Sequence, residues 1–201
     1  MRYMSKLFLV ENNHQRLSYI KESGDRDGRN YLGKLAGVGA DWKKPTRNGR
    51  RYPKELWVNV LKSADFNEMM ETRTCFGEND HPSDASGRIE TSIKEISIVL
   101  TRAELRESEG IVYCEFDILD TPQGRLLKEL CDYGSKIGVS TRGLGDEVER
   151  DGEVLIDPDT YVFYGWDAVI MPAVTTARPA VVESAKRSLT ESFKREVEQA
   201  T

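Results

Sequence analysis

The stretch DTPQGRLLKELCDYGSKIGVSTRGLG, residues 120–145, predicts a helix followed directly by a strand. Thr121 is a favourable N-cap residue, Pro122 suits the first helical position, and Gly134 ends the helical pattern. The apolar stripe of this predicted helix consists of Leu126, Leu127, Leu130 and Cys131. The apolar run that follows predicts a buried strand, and this strand carries Ser140 at its end.

Sequence periodicity elsewhere predicts one more helix and three more strands. The helix has Pro53 in its first turn. Its apolar face consists of Leu56, Val60 and Leu61. Apolar residues alternate with other residues in the strands at 93–101 and 112–118. The last strand, at 161–171, is nearly all apolar apart from Asp167.

Strands outnumber helices in this pattern, and the two do not alternate in a βαβ rhythm. The pattern therefore predicts the α+β class, with a mainly antiparallel β-barrel or sheet and surrounding helices. The length favours one domain over residues 1–182. Within it, residues 12–30 are polar and contain glycine and asparagine breakers, which predicts a loop or flap. Residues 183–201 are highly charged and predict a weakly structured C-terminal tail.

The composition argues against several functional classes. Hydrophobic residues make up 38% of the 201 positions and charged residues 31%, and no apolar run is long enough for a membrane-spanning helix. The N-terminal apolar run is too short for a secretory signal, and the three cysteines cannot all pair, which favours a reducing, cytoplasmic setting. A net charge of −5, with both signs interspersed, argues against extensive binding of nucleic-acid phosphates.

The chain has two histidines, His14 and His81. His14 lies in a polar stretch, where a surface histidine is expected. His81 lies in GENDHPSDASG, a loop rich in acids and breakers, and such loops often carry catalytic side chains. A metal site here would combine His81 with the acids Glu78, Asp80 and Asp84. Because that spacing matches no zinc signature, we predict neither a metal nor another cofactor.

Two nucleophiles compete as the partner of His81. Cys75 precedes the histidine closely, but a free cysteine is usually a small buried hydrophobe. Ser140 offers the other chemistry, in which a histidine removes the serine proton while a carboxylate orients the ring. Spacing alone does not separate this reading from a strand-end hydroxyl that bonds to backbone.

Three short motifs occur in order: RNGRRYP at 47–53, FGENDHP at 76–82 and GVSTRGLG at 138–145. Together, and at similar spacing, they resemble the prohead proteases of tailed bacteriophages, which are related in fold to herpesvirus assemblin. The resemblance covers about residues 31–180. It implies a herpesvirus-protease-like fold and a capsid maturation serine protease, with Ser140 as nucleophile and His81 as general base.

The resemblance also bears on the third catalytic residue. Herpesvirus relatives use a second histidine, whereas phage members use a carboxylate in a late strand before a Pro-Ala pair. No histidine follows His81, and the late strand GWDAVIMPA carries one acid, so the resemblance implies Asp167. Two alternatives stay open: Asp167 forms a structural ion pair with Arg142 or Arg178, or another acid takes its place. Those other acids are Glu78, Asp80 and Asp84.

The residues after the serine suggest a second function for this strand. Alternation turns Ser140 and Arg142 to one face, and glycines allow backbone N–H groups to approach a developing oxyanion. We therefore expect Arg142 and Gly143 to act in the oxyanion hole or in substrate binding. The alternative is that Arg142 pairs with an acid. The RNGRRYP motif contains an Asn48-Gly49 turn and is interpreted as structural.

The resemblance implies acyl-enzyme chemistry on the scaffold or core protein and on the major capsid protein, inside an assembling prohead in the host cytoplasm. We expect no membrane and no direct nucleic-acid partner, and a homo-oligomer is compatible with this role. One alternative is a non-catalytic prohead core or scaffold component of the same fold. Another is a metal-dependent hydrolase that uses His81 and nearby acids.

Self-cleavage is a further expectation. Several phage relatives cut after a glutamate preceded two positions earlier by leucine or isoleucine, and the charged tail contains Leu189-Thr190-Glu191-Ser192. We predict cleavage between Glu191 and Ser192, with Glu22–Ser23 as a second candidate, because similar triplets at 93–95 and 127–129 lie in a predicted strand and helix. A substrate glutamate requires a cation in its pocket, for which the candidates are Arg142, Lys136 and Arg50.

Overall fold

A computed structural model of the chain describes residues 7–12, 17–21, 23–25, 29–82 and 88–170. All helices and strands given below belong to one compact unit, Met1–His81 with Ile89–Met171. Of a second unit, Pro82–Arg88 with Pro172–Thr201, only Pro82 and Arg88 are described. The predicted tail at 183–201 lies outside the described residues. So do eight residues considered above: His14, Glu22, Asp84, Arg178, Leu189, Thr190, Glu191 and Ser192.

The described residues form three helices and twelve strands. The helices are α1 (Lys54–Lys62), α2 (Ala64–Thr72) and α3 (Pro122–Asp132). The strands are β1 (Leu7–Asn12), β2 (Ser18–Ile20), β3 (Gly24–Asp25), β4 (Asn30–Asp41), β5 (Arg50–Arg51), β6 (Phe76–Glu78), β7 (Ile96–Arg106), β8 (Ile111–Leu119), β9 (Ile137–Gly145), β10 (Glu147–Arg150), β11 (Glu153–Ile156) and β12 (Val162–Ile170).

The described strands form three sheets, and their ladders are antiparallel except for the one between β5 and β11. The largest sheet has the order β2-β4-β8-β7-β6, with β3 also paired to β4. A second sheet has the order β1-β9-β12, and the third has the order β10-β11-β5. The predicted α+β class with mainly antiparallel pairing is therefore confirmed.

The helix predicted from the opening stretch is α3. The Thr121 hydroxyl caps it by accepting a hydrogen bond from the backbone N–H of Gly124 over 3.0 Å. Leu127 and Cys131 are buried, but Leu126 is 53% exposed. The buried stripe is thus narrower than predicted, because only one side of the helix packs against β7 and β8.

The helix predicted from RYPKELWVNVLKSADF, residues 52–67, is divided at Ser63 into α1 and the start of α2. Pro53 is the N-cap of α1 and lies outside its first turn. Ser63 has extended backbone angles (φ −64°, ψ 149°), and its hydroxyl accepts a hydrogen bond from the N–H of Phe66 over 3.1 Å. One serine therefore ends the first helix and caps the second, as its short polar side chain allows.

The loop or flap predicted for residues 12–30 needs correction over two short stretches, because β2 and β3 pair with β4. Leu17 is buried beside them, and the Tyr19 hydroxyl donates a hydrogen bond to Asp132 of α3 over 3.1 Å. The polar sequence hid these strands because pairing at the edge of a sheet uses backbone groups, which every residue carries.

The strand predicted at 93–101 begins later, at Ile96, and extends to Arg106. Residues 93–95 form a turn, closed by a 2.9 Å hydrogen bond from the N–H of Glu95 to the carbonyl of Ser92, and Ile93 is 84% exposed. The other predicted strands correspond to β8, β9 and β12.

The hydrophobic core contains the inward side chains of β7, β8 and β9 together with α1. Trp57 of α1 stacks on Trp166 of β12 with ring centroids 6.0 Å apart. Within the described part of the chain, no helix has the length and apolar character needed to cross a membrane.

Candidate active site

Strand β9 lies between β1 and β12 and carries Ser140, which is fully buried. The antiparallel register places Ser140 opposite Asp167 of β12, and Arg142 opposite Gly165. Directly opposed residues of an antiparallel pair point to the same face, and so do residues two apart on one strand. Ser140, Arg142 and Asp167 therefore share one face of this sheet.

A tight connection after β6 brings His81 to the same carboxylate. Asn79 forms a β-bridge with Ala168 of β12, and the Asp80 N–H donates to the Ala168 carbonyl over 2.8 Å. Asp80 has a left-handed backbone (φ 61°), a conformation that aspartate adopts more readily than most residues. The turn at Asp80 therefore places His81 beside β12.

His81 and Asp167 form a hydrogen bond of 2.7 Å between Nδ1 and Oδ2. The side chain of Asp167 is fully buried, and that of His81 is 14% exposed. Oδ1 of Asp167 accepts a hydrogen bond from the N–H of Glu78 over 3.0 Å. A histidine whose Nδ1 bonds to a carboxylate carries its proton there, so Nε2 is the basic nitrogen. Nε2 is buried and has no hydrogen-bond partner among the described residues.

The Arg142 side chain is fully buried and faces Asp167. Its Nη2 donates to Oδ1 of that carboxylate over 3.2 Å, and its Nε lies 3.2 Å from Oδ2 in an ion pair. Nη1 donates to the carbonyl of Ile89 and Nη2 to the hydroxyl of Thr91, each over 2.8 Å. The guanidinium predicted for the oxyanion or the substrate is thus occupied by an acid and by the segment after His81.

Gly143 also has a packing reason to be glycine. A Cβ on this residue would lie 2.5 Å from ring atoms of Tyr161, closer than non-bonded atoms approach. Gly143 lies opposite Leu9 of β1 on one side and Phe163 of β12 on the other. The absent side chain therefore makes room for an aromatic ring, which the oxyanion prediction did not consider.

Glu78 belongs to the hydrogen-bond network around Asp167, a position that the sequence did not predict. It is 2% exposed, its Oε1 accepts a hydrogen bond from the N–H of Ser92 over 2.6 Å, and the same oxygen lies 3.8 Å from Nη1 of Arg142. The GENDHP motif marked Glu78 only as a metal ligand or a substitute for Asp167. Thr91 carried no signal at all, because an isolated threonine in a polar segment is unremarkable.

Burial argues against the cysteine alternative. Cys75 is 3% exposed, and burial raises the pKa of its thiol to about 12. Burial likewise raises the pKa of Cys131 to about 11 and that of Cys114 well above its ordinary value. A thiol nucleophile needs the opposite shift. Across the described ranges, no group of three or more His, Cys, Asp or Glu side chains is arranged to hold a metal ion.

The RNGRRYP motif contributes strand β5 to the third sheet. Arg50 is 8% exposed, and its Nε lies 2.5 Å from Oε1 of Glu147, while Arg51 bonds to Glu153 over 2.8 Å. β5 pairs with β11 at these residues. Arg50 is thus engaged with an acid on β10, whereas Lys136, another candidate for a glutamate pocket, is exposed.

Comparisons with known proteins identify a family and a similar fold. A family model described as "Prohead core protein serine protease" matches residues 21–192. A solved structure, that of the bacteriophage T4 capsid assembly protease gp21, superposes with a TM-score of 0.71 at 22% sequence identity, covering 83% of this chain and 99% of that chain. At this identity the likeness establishes the fold. No curated protein matches the chain.

Proposed function

The chain belongs to the prohead core protein serine protease family, and we propose that Ser140, His81 and Asp167 are its catalytic triad. Ser140 is the nucleophile, His81 the general base and acid, and Asp167 the carboxylate that orients the imidazole. The observation that carries the proposal is the 2.7 Å bond between His81 Nδ1 and Asp167 Oδ2, formed by an aspartate that lies opposite Ser140 in the strand register.

The proposed reaction is acyl transfer. Oγ of Ser140 attacks the scissile carbonyl carbon while Nε2 of His81 takes the hydroxyl proton, and His81 then gives this proton to the leaving amine. The acyl group remains as an ester on Ser140. His81 next takes a proton from water, the resulting hydroxide attacks the ester, and the proton returns to Oγ as the acid product leaves. Asp167 stabilises the imidazolium that forms in both halves.

We propose as substrates the scaffold or core protein and the major capsid protein, cleaved inside the prohead in the host cytoplasm. The family description and the T4 capsid assembly protease support this class of substrate. A fluorophosphonate probe, which loses its leaving group to an activated serine, tests the nucleophile. We expect one label on the wild type, none on Ser140→Ala and slow labelling of His81→Ala.

Ser97→Ala is the matched control, because Ser97 is a second fully buried strand serine. It should label like the wild type. Labelling of Ser140→Ala at the wild-type rate would reject the proposed nucleophile. A folded wild type that takes no label and cuts no scaffold protein would instead favour a non-catalytic component of the prohead core.

We also propose that the enzyme cuts itself between Glu191 and Ser192, with Glu22–Ser23 as a second site. Of the other triplets that fit the preference, Leu127-Lys128-Glu129 lies in α3, where the backbone is already paired. Leu105-Arg106-Glu107 runs from the end of β7 into an exposed turn and is therefore also accessible. Ile93-Lys94-Glu95 lies in a turn and is an accessible competitor. Intact-mass measurement distinguishes the proposed cleavage site from the competing triplets, because cleavage between Glu191 and Ser192 removes the ten residues from Ser192 to Thr201.

Ser140→Ala is the reference for the self-cleavage measurement and should keep its full mass. If wild type also keeps its full mass while it cuts an added scaffold protein, self-cleavage is wrong and the protease assignment stands.

A further inference from the structure

Arg142 connects three segments around the proposed triad. Its own strand, β9, carries Ser140, and its guanidinium contacts both carboxylate oxygens of Asp167 on β12. Two further hydrogen bonds reach Ile89 and Thr91, in the segment that follows His81 along the chain. Nη1 and Nη2 make the hydrogen bonds, Nε lies 3.2 Å from Oδ2 without forming one, and the side chain is fully buried.

Glu78 holds the same segment from its other end. Its backbone N–H donates to Asp167 over 3.0 Å, while its carboxylate accepts from the N–H of Ser92 over 2.6 Å and lies 3.8 Å from Arg142. Two carboxylates and one guanidinium therefore meet in a region from which water is excluded. An unpartnered carboxylate is costly in such a region, and Arg142 is a positive charge within reach of both acids.

The direction of the Asp167 carboxylate depends on these contacts. The terminal torsion of an aspartate is broad, so a carboxylate without fixed partners samples many orientations. Oδ1 is held by the N–H of Glu78 and by Nη2 of Arg142, which leaves Oδ2 directed at Nδ1 of His81. A general base works only when its ring is held in one orientation and one tautomer.

We propose that Arg142 is a positioning residue of the catalytic site: it fixes the Asp167 carboxylate for His81 and ties the Ile89–Thr91 segment to the strand of the nucleophile. This role rests on the proposed triad. It replaces the direct contact with oxyanion or substrate that the sequence suggested. Arg142 acts through Asp167 and His81, so its loss should lower kcat and leave substrate binding largely intact.

Arg142→Lys and Thr91→Val test the proposal with a peptide from a scaffold protein as substrate. Lysine keeps the charge but cannot reach the acid, the carbonyl and the hydroxyl together. We expect kcat to fall about 10²-fold, with KM changed less than about twofold, as for a small misplacement of catalytic groups. Thr91→Val removes one anchor and leaves every charge paired, so we expect a loss of about 10-fold, which Thr91→Ser restores.

Thr101→Val is the matched control. Thr101 is a half-buried threonine on β7 whose hydroxyl donates to the carbonyl of Glu115 over 3.1 Å, so it loses a comparable hydrogen bond away from the site. Its kcat should equal that of wild type. Proton NMR adds a direct readout, because the Nδ1 proton of His81 should give a far-downfield signal that weakens in Arg142→Lys and is unchanged in Thr101→Val.

The outcomes separate this proposal from the triad itself. Wild-type kcat in Thr91→Val and in Arg142→Lys, with Ser140→Ala inactive, overturns the role of Arg142 and leaves the triad in place. Activity in Ser140→Ala overturns the triad and this role with it. If Arg142→Lys does not fold, the Thr91 pair decides, since a kcat loss restored by serine supports positioning and an unchanged kcat rejects it.

Discussion

The two faces of β9 are both buried, but different interactions build them. One face carries Ser140 and Arg142, close to Asp167 and the histidine segment, and its contacts are hydrogen bonds and ion pairs. The other face carries Gly143 and Gly145, where a Cβ would lie 2.5 Å and 3.2 Å from Tyr161. Hydrogen-bond direction and charge pairing therefore determine which residues fit the first face, and the space needed by the Tyr161 ring determines which residues fit the second.

This difference teaches which quantity each face controls. In the proposed triad Ser140 and His81 contribute the reacting atoms, and replacing them should leave the neighbouring packing nearly unchanged. Gly143 contributes room for Tyr161, whose ring lies edge-on to Tyr52 with centroids 5.7 Å apart. Substitutions of Ser140 and His81 should alter rate with little change in stability, and substitutions at the glycines should alter stability with little change in rate.

The largest effect is expected for Ser140→Ala and His81→Ala. Each should lower kcat/KM for a scaffold substrate by about 10⁴-fold or more, and the double variant should lose little further, because the two residues act as a unit. Thermal unfolding should occur near the wild-type midpoint. If either variant keeps substantial activity, or if the double variant loses the product of the two single losses in kcat/KM, the face with Ser140 and Arg142 is not the catalytic face.

A somewhat smaller effect is expected for Asp167→Asn. Asparagine has nearly the shape of aspartate but cannot hold the His81 proton on Nδ1, so kcat should fall about 10²–10⁴-fold with little change in KM. Steady-state kinetics checks this, with Glu78→Gln as the comparison. If Asp167→Asn keeps the wild-type kcat while Glu78→Gln loses most of it, Asp167 is not the third triad member and Glu78 takes its place.

β9 also illustrates how far the sequence could be read. Alternation along one strand, which is a local pattern, predicted that Ser140 and Arg142 share a face. Asp167 was indicated by the resemblance to prohead proteases together with the single acid in the late apolar strand. The contact of Arg142 with Ile89 joins residues 53 positions apart, and no local pattern carries it. The packing need for Gly143 was missed for a related reason, because the ring that lies against it comes from Tyr161, after an intervening hairpin. Its predicted role in the oxyanion hole or in substrate binding stays a prediction.

Gly143→Ala tests the face of β9 that packs against Tyr161. The Tyr161 ring cannot move away freely because Tyr52 and Trp57 pack against it, with centroids 5.7 Å and 6.3 Å away. Overpacking of this kind should lower the free energy of unfolding by about 1–3 kcal/mol, measured by urea denaturation. Activity per folded molecule should stay close to wild type.

Gly24→Ala is the control for Gly143→Ala, since a Cβ there would only touch Tyr31 at an ordinary 3.4 Å. It should leave stability nearly unchanged. Combining Gly143→Ala with Tyr161→Leu should cost less than the sum of the two single changes, because the second removes the clashing ring. A stable Gly143→Ala enzyme with a large loss of kcat would instead return Gly143 to the oxyanion site.

The smallest effect on rate is expected for Cys75→Ala, which tests the cysteine nucleophile. Burial raises the pKa of this thiol to about 12 from near 9, so it is neutral around pH 8 and should react slowly with iodoacetamide until the protein unfolds.

The buried Cys75 thiol also makes the stability of the protein depend on pH. Because the folded pKa is the higher one, the stability gained by keeping the thiol neutral is complete below pH 9 and is lost as the pH rises toward 12. The free energy of unfolding of wild type should therefore decline over that range more steeply than that of Cys75→Ala, while both cleave substrate at about the same rate. Fast alkylation of the native enzyme, accompanied by loss of activity, would contradict this and favour a cysteine–histidine pair.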